Sequence, residues 1–149
     1  NGAQGTNGTQ GTNGTQGTNG TQGTLGTQGP TAVRTSAVTL TTSPWAWDST
    51  GYDQFSVVLN TNITINIDSS TSQVDGQRII FRIKDNGTAR TLSWDTSSTN
   101  GAFRVIGVTL PTTTVANKTV YVGCIWNSTA GSATSTGGRW DVVAVGQEV

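Results

Sequence analysis

Residues 2–31 read GAQ-GTN-GTQ-GTN-GTQ-GTN-GTQ-GTL-GTQ-GPT, a run of triplets that each begin with glycine. Three polyproline-II-like chains can wind around one axis only if every third residue lacks a side chain, because no other residue fits there. The repeat therefore predicts a collagen-like triple helix and, with it, a homotrimer. The glycines assigned to the triple-helix axis are Gly2, Gly5, Gly8, Gly11, Gly14, Gly17, Gly20, Gly23, Gly26 and Gly29.

The repeat does little to stabilise a triple helix by itself. Collagens hold the polyproline conformation with abundant imino acids, whereas Pro30 is the only one here. Aligning three such chains costs entropy, so we expect the stalk to depend on the following sequence for its register. The alternative is a flexible polar linker, because low-complexity tracts of this kind are commonly disordered.

Composition separates a stalk at residues 1–31 from a head at residues 32–149. The 8 basic and 8 acidic side chains all lie in the head and cancel, so no net field attracts nucleic acid or an anionic membrane. No apolar run approaches the roughly 18 residues of a transmembrane helix. We therefore expect neither a nucleic-acid partner nor membrane insertion.

The first residue and the cysteine content bear on where the chain is made. It begins at Asn1 and has no signal peptide, which suggests a piece of a longer protein whose N-terminal region is missing. The single Cys124 excludes an intrachain disulfide and fits assembly in a reducing cytoplasm. We expect its thiol to be an inert core group, since free cysteines are commonly buried.

Beyond the stalk, apolar residues alternate with polar ones and turn residues bound each run, which predicts an all-β head. The number and spacing of the runs favour a β-sandwich or jelly-roll-like fold. The predicted strands are 32–42, 54–60, 63–67, 78–84, 88–94, 103–108, 118–127 and 139–145.

Two connections in this pattern are distinctive. In residues 78–94, Asp85-Asn86-Gly87 separates two alternating runs and predicts a β-hairpin. The segment 128–138 consists of small and hydroxyl-bearing residues, which predicts an exposed, mobile loop. Such a tip loop could touch a partner, although a plain hairpin connection is the simpler interpretation.

The strand 118–127 carries apolar residues on both faces. Val120 and Cys124 share one face, and Tyr121 and Ile125 share the other. Strands buried on both faces show this pattern, so we expect a central strand here.

The residue inventory argues against catalysis. Without histidine, the chain lacks Ser-His-Asp and Cys-His nucleophile systems and histidine-ligated metal sites. Its aspartates lie mostly at predicted turns or strand ends, where they accept hydrogen bonds from the backbone, so a glycosidase-type carboxylate pair is not favoured. Asp85-Asn86-Gly87 offers calcium-type oxygens but is better explained as a turn. We expect no enzyme activity, no cofactor and no metal.

Aromatic side chains near one connection suggest a ligand site. Trp45 and Trp47 lie two residues apart, on one side of an extended chain, with Asp48 and Tyr52 close by. Aromatic faces beside carboxylates can stack on sugar rings and bind their hydroxyls, so a host cell-envelope glycan is a candidate ligand. The favoured interpretation is that both tryptophans fill the end of the sandwich or the three-fold interface.

A basic cluster occupies the predicted hairpin and comprises Arg78, Arg82, Lys84 and Arg90. It could face an anionic surface polymer. Charged side chains also protect exposed strands from aggregation, and the zero net charge favours that second interpretation.

The head contains DGQRIIFRIKDNGTAR at 75–90, preceded by YDQF at 52–55 and followed by LPTTT at 110–114, YVGCI at 121–125 and RWDVV at 139–143. With these segments, roughly residues 38–147 resemble the C-terminal β domain of bacteriophage tail fibre and minor tail proteins. The resemblance implies a virion protein, often placed after a collagen-like or coiled-coil stalk, and it implies no catalytic residues. The loop at 128–138 is longer than in that pattern.

The stalk and the resemblance together imply a homotrimeric phage fibre or minor tail protein on the exterior of the virion. It would be assembled in the bacterial cytoplasm and attached to other virion proteins through the missing N-terminal region. Its head is expected to trimerise the stalk and to bind the host cell surface. Three alternatives stay open: a head fibre or decoration protein of the capsid, a head that acts only as a trimerisation foldon, and a collagen-like protein of a bacterial surface or spore.

Overall fold

A computed structural model describes residues 1–15, 32–130 and 137–149 of the protein. Within these ranges all regular secondary structure is β, as the sequence predicts. The strands are β1 (Thr35–Leu40), β2 (Trp45–Trp47), β3 (Gln54–Leu59), β4 (Ile63–Asp68), β5 (Arg78–Asp85), β6 (Leu92–Trp94), β7 (Phe103–Val105), β8 (Thr119–Asn127) and β9 (Arg139–Gln147). Residues 1–15 contain no strand or helix and are exposed, and residues 16–31 of the predicted stalk lie outside the described ranges, so the triple helix stays a prediction.

The chain winds back and forth between two sheets. One sheet has six strands in the order β1-β3-β5-β8-β9-β7, and the other has three in the order β2-β4-β6. Strands β1 to β6 therefore change sheet at every step, and those that become neighbours run parallel. Thr35 of β1 pairs with Gln54 of β3, an offset of 19 residues. The segments β1-β2 and β3-β4 are thus successive coils of one winding.

Two sequence-based predictions about topology are wrong. Residues 78–94 do not form a hairpin, because the chain crosses the core after β5 and β6 pairs with β4 in the other sheet. The jelly-roll-like arrangement requires antiparallel neighbours, whereas among the named strands of the described residues only β5-β8 and β8-β9 are antiparallel. Alternation of apolar and polar residues indicates that one face of a strand is buried. It does not indicate which sheet the strand joins.

Strand boundaries also differ from the predicted ones. Strand β2 was not predicted, because a run of three residues is too short to show an alternating pattern. The predicted strands 88–94 and 103–108 shrink to the three-residue strands β6 and β7, and 32–42 shrinks to β1.

The core lies between the two sheets and is rich in aromatic rings. In β5, Ile79, Phe81 and Ile83 are buried while the residues between them are exposed, as expected of a strand covered on one face. From the opposite sheet, Trp47 packs edge-on against Phe55 and Phe81, with ring centroids 5.6 and 5.0 Å apart. Both sheets thus contribute to one hydrophobic core.

Strand β8 lies between β5 and β9, which confirms its predicted central position. Only one of its faces is buried, since Val120, Val122 and Cys124 are covered whereas Tyr121 is 42% exposed. The prediction of burial on both faces is wrong because the second sheet covers the six-stranded sheet on one side only.

The winding gives the head two distinct ends. The chain arrives from the repeat at the start of β1, and β3 and β5 begin at the same end, which we call the proximal end. The connections 48–53 and 69–77 lie there. The opposite end, called the distal end, consists of the turns at 41–44, 60–62 and 86–91.

The loop 128–138 joins β8 to β9 at the proximal end, because β8 runs antiparallel to β5. The two ends of the loop are therefore away from the distal end, and residues 131–136 lie outside the described part of the chain. Of its described residues, Ser128, Thr129 and Gly137 are exposed as predicted, whereas the other two are buried. Ala130 is 8% exposed, and Gly138 packs so closely against Trp126 that no side chain would fit there.

Candidate functional site

The two tryptophans predicted to contact a glycan lie in the core. Trp45 and Trp47 are 8% and 3% exposed, and both rings pack edge-on against Phe81. Trp47 Nε1 also donates a hydrogen bond to the carbonyl of Asn66 at 2.7 Å. Neither indole presents a face to solvent in this arrangement, which fits the core-packing alternative.

Asp48 and Tyr52 lie on the surface, in the connection between β2 and β3 at the proximal end. Asp48 Oδ1 accepts a hydrogen bond from the Thr50 N–H at 2.7 Å, and hydrogen bonds from the Thr50 hydroxyl and N–H hold the pKa of this carboxyl below its usual value. Tyr52 is 38% exposed, and its ring lies 5.6 Å from that of Phe55. The structure thus separates the exposed Asp48 and Tyr52 from the buried indole faces.

Beneath this connection, one buried carboxylate accepts hydrogen bonds from four donors. Asp68, the last residue of β4, is 3% exposed. Its Oδ1 accepts hydrogen bonds from the backbone N–H groups of Ser49 and Ser70, both at 3.0 Å. Its Oδ2 accepts hydrogen bonds from Gln73 Nε2 at 2.9 Å and Trp140 Nε1 at 3.0 Å. Sequence reasoning missed this group because Trp140 is 72 residues away in the chain.

A second buried carboxylate lies at the distal end. Asp85 Oδ1 accepts hydrogen bonds from the N–H groups of Gly87 and Asn117, both at 2.9 Å, and Oδ2 accepts one from the Thr114 hydroxyl at 2.7 Å. Burial raises the pKa of Asp85, but the hydrogen bonds from Asn117, Thr114 and Gly87 outweigh that effect and hold the pKa below its usual value. These contacts support the turn interpretation. The described residues contain no group of three or more histidine, cysteine or acidic side chains placed to hold a metal.

Acid is expected to destabilise the head. Arg34 donates hydrogen bonds to Asp53 at 3.0 and 2.7 Å, and this pairing lowers the pKa of Asp53 to about 2. A folded-state pKa below that of the unfolded chain gives stability that is complete above about pH 4 and is lost as the pH falls towards 2. Urea midpoints measured across this window should therefore fall with pH, and Asp53→Asn should reduce the slope. Midpoints that are constant between pH 5 and 2 would contradict the prediction.

Cys124 has the environment of an inert thiol. It is buried in β8, and burial followed by the nearby charge of Asp141 raises the pKa of the thiol well above its usual value. Because the thiolate is the nucleophilic form, a thiol that stays protonated is unreactive. The predicted core position of Cys124 is confirmed.

The six-stranded sheet turns its second side to solvent, and we call this surface the outer face. It is formed by the side chains that alternate with core residues along β3, β5, β8 and β9. Large apolar side chains are exposed there, namely Val58, Ile80, Tyr121 and Val143, at 37% to 43%.

Three of the four residues in the predicted basic cluster lie on the outer face. Arg78, Arg82 and Lys84 are exposed along β5, and none forms an ion pair with any part of the chain that the structure describes. The Arg82 guanidinium lies over the ring of Tyr121, 5.8 Å from its centroid. Arg90 is separate from them and donates a hydrogen bond to Asn86 Oδ1 at 3.0 Å in a distal turn.

An open cavity of about 380 Å³ lies at the proximal end of the outer face, lined in part by Asp75, Ile125, Asn127 and Asp141. Asp75 Oδ1 accepts hydrogen bonds from the N–H and hydroxyl of Ser128, both at 2.9 Å. Asp141 is paired with Arg104 at 2.6 Å and accepts a further hydrogen bond from Asn127 at 3.0 Å. The carboxylates of this cavity are therefore engaged in the fold.

Comparison with known proteins identifies no relative, because no family model, curated protein or solved structure matches the chain. The structure contains, in the ranges it describes, no helix capable of spanning a membrane. The glycine repeat and the geometry of the head are thus the observations that bear on function.

Proposed function

We propose that this protein is a homotrimeric fibre of a bacteriophage virion, in which a collagen-like stalk carries a β head that joins the three chains and contacts the host cell surface. The observation that carries the proposal is the unbroken glycine period of residues 2–31, because the collagen axis requires glycine at every third position. The resemblance of roughly residues 38–147 to phage tail fibre and minor tail proteins supports the virion setting.

The topology of the head suits the end of a stalk. Strand β1 follows the repeat directly and begins at the proximal end, so the distal turns face away from the stalk. Asn60, Asn62 and Asn86 are exposed in those turns. The Oδ1 atoms of Asn62 and Asn86 accept hydrogen bonds from the Thr91 N–H and from Arg90, and the amide NH₂ groups can donate to sugar hydroxyls. We therefore place contact with a host-envelope glycan at the distal end, rather than at the proximal Asp48 and Tyr52.

Binding by such a fibre is non-covalent and multivalent. Three linked copies of a weak site can raise avidity by about 10²–10⁴ without any strong single contact. The partners are two further copies of the chain, other virion proteins and the host surface. This mechanism uses no cofactor or metal.

The full chain is expected to sediment as a trimer at micromolar concentration and to show the circular dichroism of a triple helix. Gly14→Ala should lower the melting temperature of that signal, because a methyl group at the axis disrupts the triple helix locally. Thr15→Ala changes the neighbouring position, which faces away from the axis, and should melt like the wild type. A monomeric chain, or equal melting of the two variants, would contradict the triple helix.

Two experiments distinguish the proposal from its alternatives: adsorption of the trimer to host cells, and the location of the head on the virion. Purified trimer should compete with virions for host cells, whereas a trimer that does not compete supports a head that acts only as a trimerisation foldon. Electron microscopy of virions labelled with an antibody against the head distinguishes tail from capsid attachment. Virions without label would favour a bacterial surface or spore protein.

A further inference from the structure

The two sheets differ in what they present to solvent. The outer face of the six-stranded sheet exposes Val58, Ile80 and Tyr121, each at 37% to 42%. The three-stranded sheet exposes the small residues Ala46 and Ser93 at its outward positions. Because burial of apolar surface drives protein association, the outer face is the surface that gains more from being covered.

The register of the outer face places large and small side chains in separate strips. Ile80 of β5 lies opposite Gly123 of β8, which lies opposite Ala144 of β9. At the next outward position, Arg82 lies opposite Tyr121, which lies opposite Gly146. Ile80, Arg82 and Tyr121 form a raised strip, and the small residues Gly123, Ala144 and Gly146 form a low strip. The low strip ends at the 43% exposed Val143, where β9 has an irregular register.

A cyclic trimer needs two different surfaces on each copy, because each copy contacts its two neighbours through different patches. The raised and low strips supply such a pair on one face. Charge does not add to this pairing, because Glu148, which follows the low strip, accepts a hydrogen bond from the Thr119 N–H at 2.8 Å and lies near Lys84 and Lys118 of its own copy.

We propose that the outer face is the surface through which three copies of the head associate, the raised strip of each copy packing on the low strip of the next. This inference rests on the proposed trimeric fibre. In this arrangement the strands run along the fibre axis, because β1 leads away from the repeat. All three chains then leave the stalk at the same, proximal end.

Disulfide trapping tests the contact between the two strips in the full chain. Within one copy, Ile80 and Ala144 lie two strands apart, about 9–10 Å, which is beyond the reach of an intrachain disulfide. On oxidation, the double variant Ile80→Cys/Ala144→Cys should therefore give covalent dimers and trimers on a non-reducing gel. A matched control, Val74→Cys/Ala144→Cys, uses the 68% exposed Val74 in the connection 69–77 and should give none.

Charge substitution tests the same surface in solution. Ile80→Glu and Tyr121→Glu should each raise the dissociation constant of the trimer by about 30-fold or more, the loss typical of a hot-spot side chain. Tyr121→Phe, and Val115→Glu at a site that is 52% exposed outside the six-stranded sheet, should sediment like the wild type. Fluorescence of the buried tryptophans reports whether each variant is folded.

The outcomes distinguish this inference from the function on which it rests. A monomeric wild-type chain would overturn both. A trimeric wild type with no cross-link, whose affinity is unchanged in both glutamate variants, would overturn the interface alone. If those variants stay trimeric but lose binding to dextran sulfate, the outer face is a site for an anionic polymer, which also overturns the interface.

Discussion

Replacing Trp47 with alanine is expected to destabilise the head by about 3–5 kcal/mol, the loss usual for a large aromatic side chain removed from a core. Trp47 is 3% exposed, and its ring lies 5.0 to 5.9 Å from the rings of Phe55, Phe81, Phe103 and Trp140. It thus joins the three-stranded sheet to both halves of the six-stranded one. Since domains of this size are stable by about 5–15 kcal/mol, one truncation removes a large share of the total.

Urea unfolding followed by circular dichroism measures this loss without relying on the tryptophan signal that the substitution removes. Val74→Ala truncates an apolar side chain that is 68% exposed and should unfold within about 0.5 kcal/mol of the wild type. If Trp47→Ala is as stable as Val74→Ala, the two sheets do not share the core described above.

Asp68→Asn is expected to be strongly destabilising although it changes only one side-chain heavy atom. Each oxygen of Asp68 accepts two hydrogen bonds, so the new NH₂ group would face two donors instead of accepting from them. Each buried donor left unpaired costs about 1–3 kcal/mol. The substitution should also loosen the connection 48–53, because the N–H of Ser49 is one of the donors.

Asp48→Asn is the matched control for the charge. It removes the same charge from an exposed carboxylate whose hydrogen bonds, within the described ranges, come from Thr50. Its urea midpoint should stay close to that of the wild type, and hydrogen exchange at Ser49 and Ser70 should speed up only in Asp68→Asn. Equal destabilisation by the two substitutions would mean that charge, rather than the four hydrogen bonds, explains the effect.

The sequence was sufficient to predict the secondary-structure class and the buried face of individual strands. In β5 the alternation of Ile79, Phe81 and Ile83 with exposed residues is a local property, set by the two-residue period of an extended chain. The central position of β8 was also predicted, from apolar residues on both of its faces, although only one of those faces is buried.

The pairing of strands could not be predicted in the same way. The residues Asp85-Asn86-Gly87 reverse the chain as expected, but the reversal carries it across the core rather than back along β5. Turn chemistry fixes the local backbone and leaves open which sheet receives the next strand. Parallel pairing with an offset of 19 residues is decided by packing between segments that are distant in sequence.

The candidate site could not be predicted fully either, because it also depends on packing between segments that are distant in sequence. Two aromatic residues beside an aspartate, as in Trp45-Ala46-Trp47-Asp48, have the same sequence pattern whether the rings bind a sugar or fill a core. Burial decides between these interpretations, and burial here depends on Phe55 and Phe81 from other strands. The four donors of Asp68 come from three separate segments, so no local motif marks it.

The winding of the strands also bears on how such a head can change during evolution. Each coil, such as β1-β2 or β3-β4, adds one strand to both sheets, so duplication of a coil would widen the head while keeping the same turns at its two ends. Architectures built from stacked units grow in this manner, because each unit contacts mainly its neighbours. The connections between coils can lengthen at small entropic cost, since closure entropy rises slowly with loop length. New surface can therefore be gained at the connections while the register of the strands is kept.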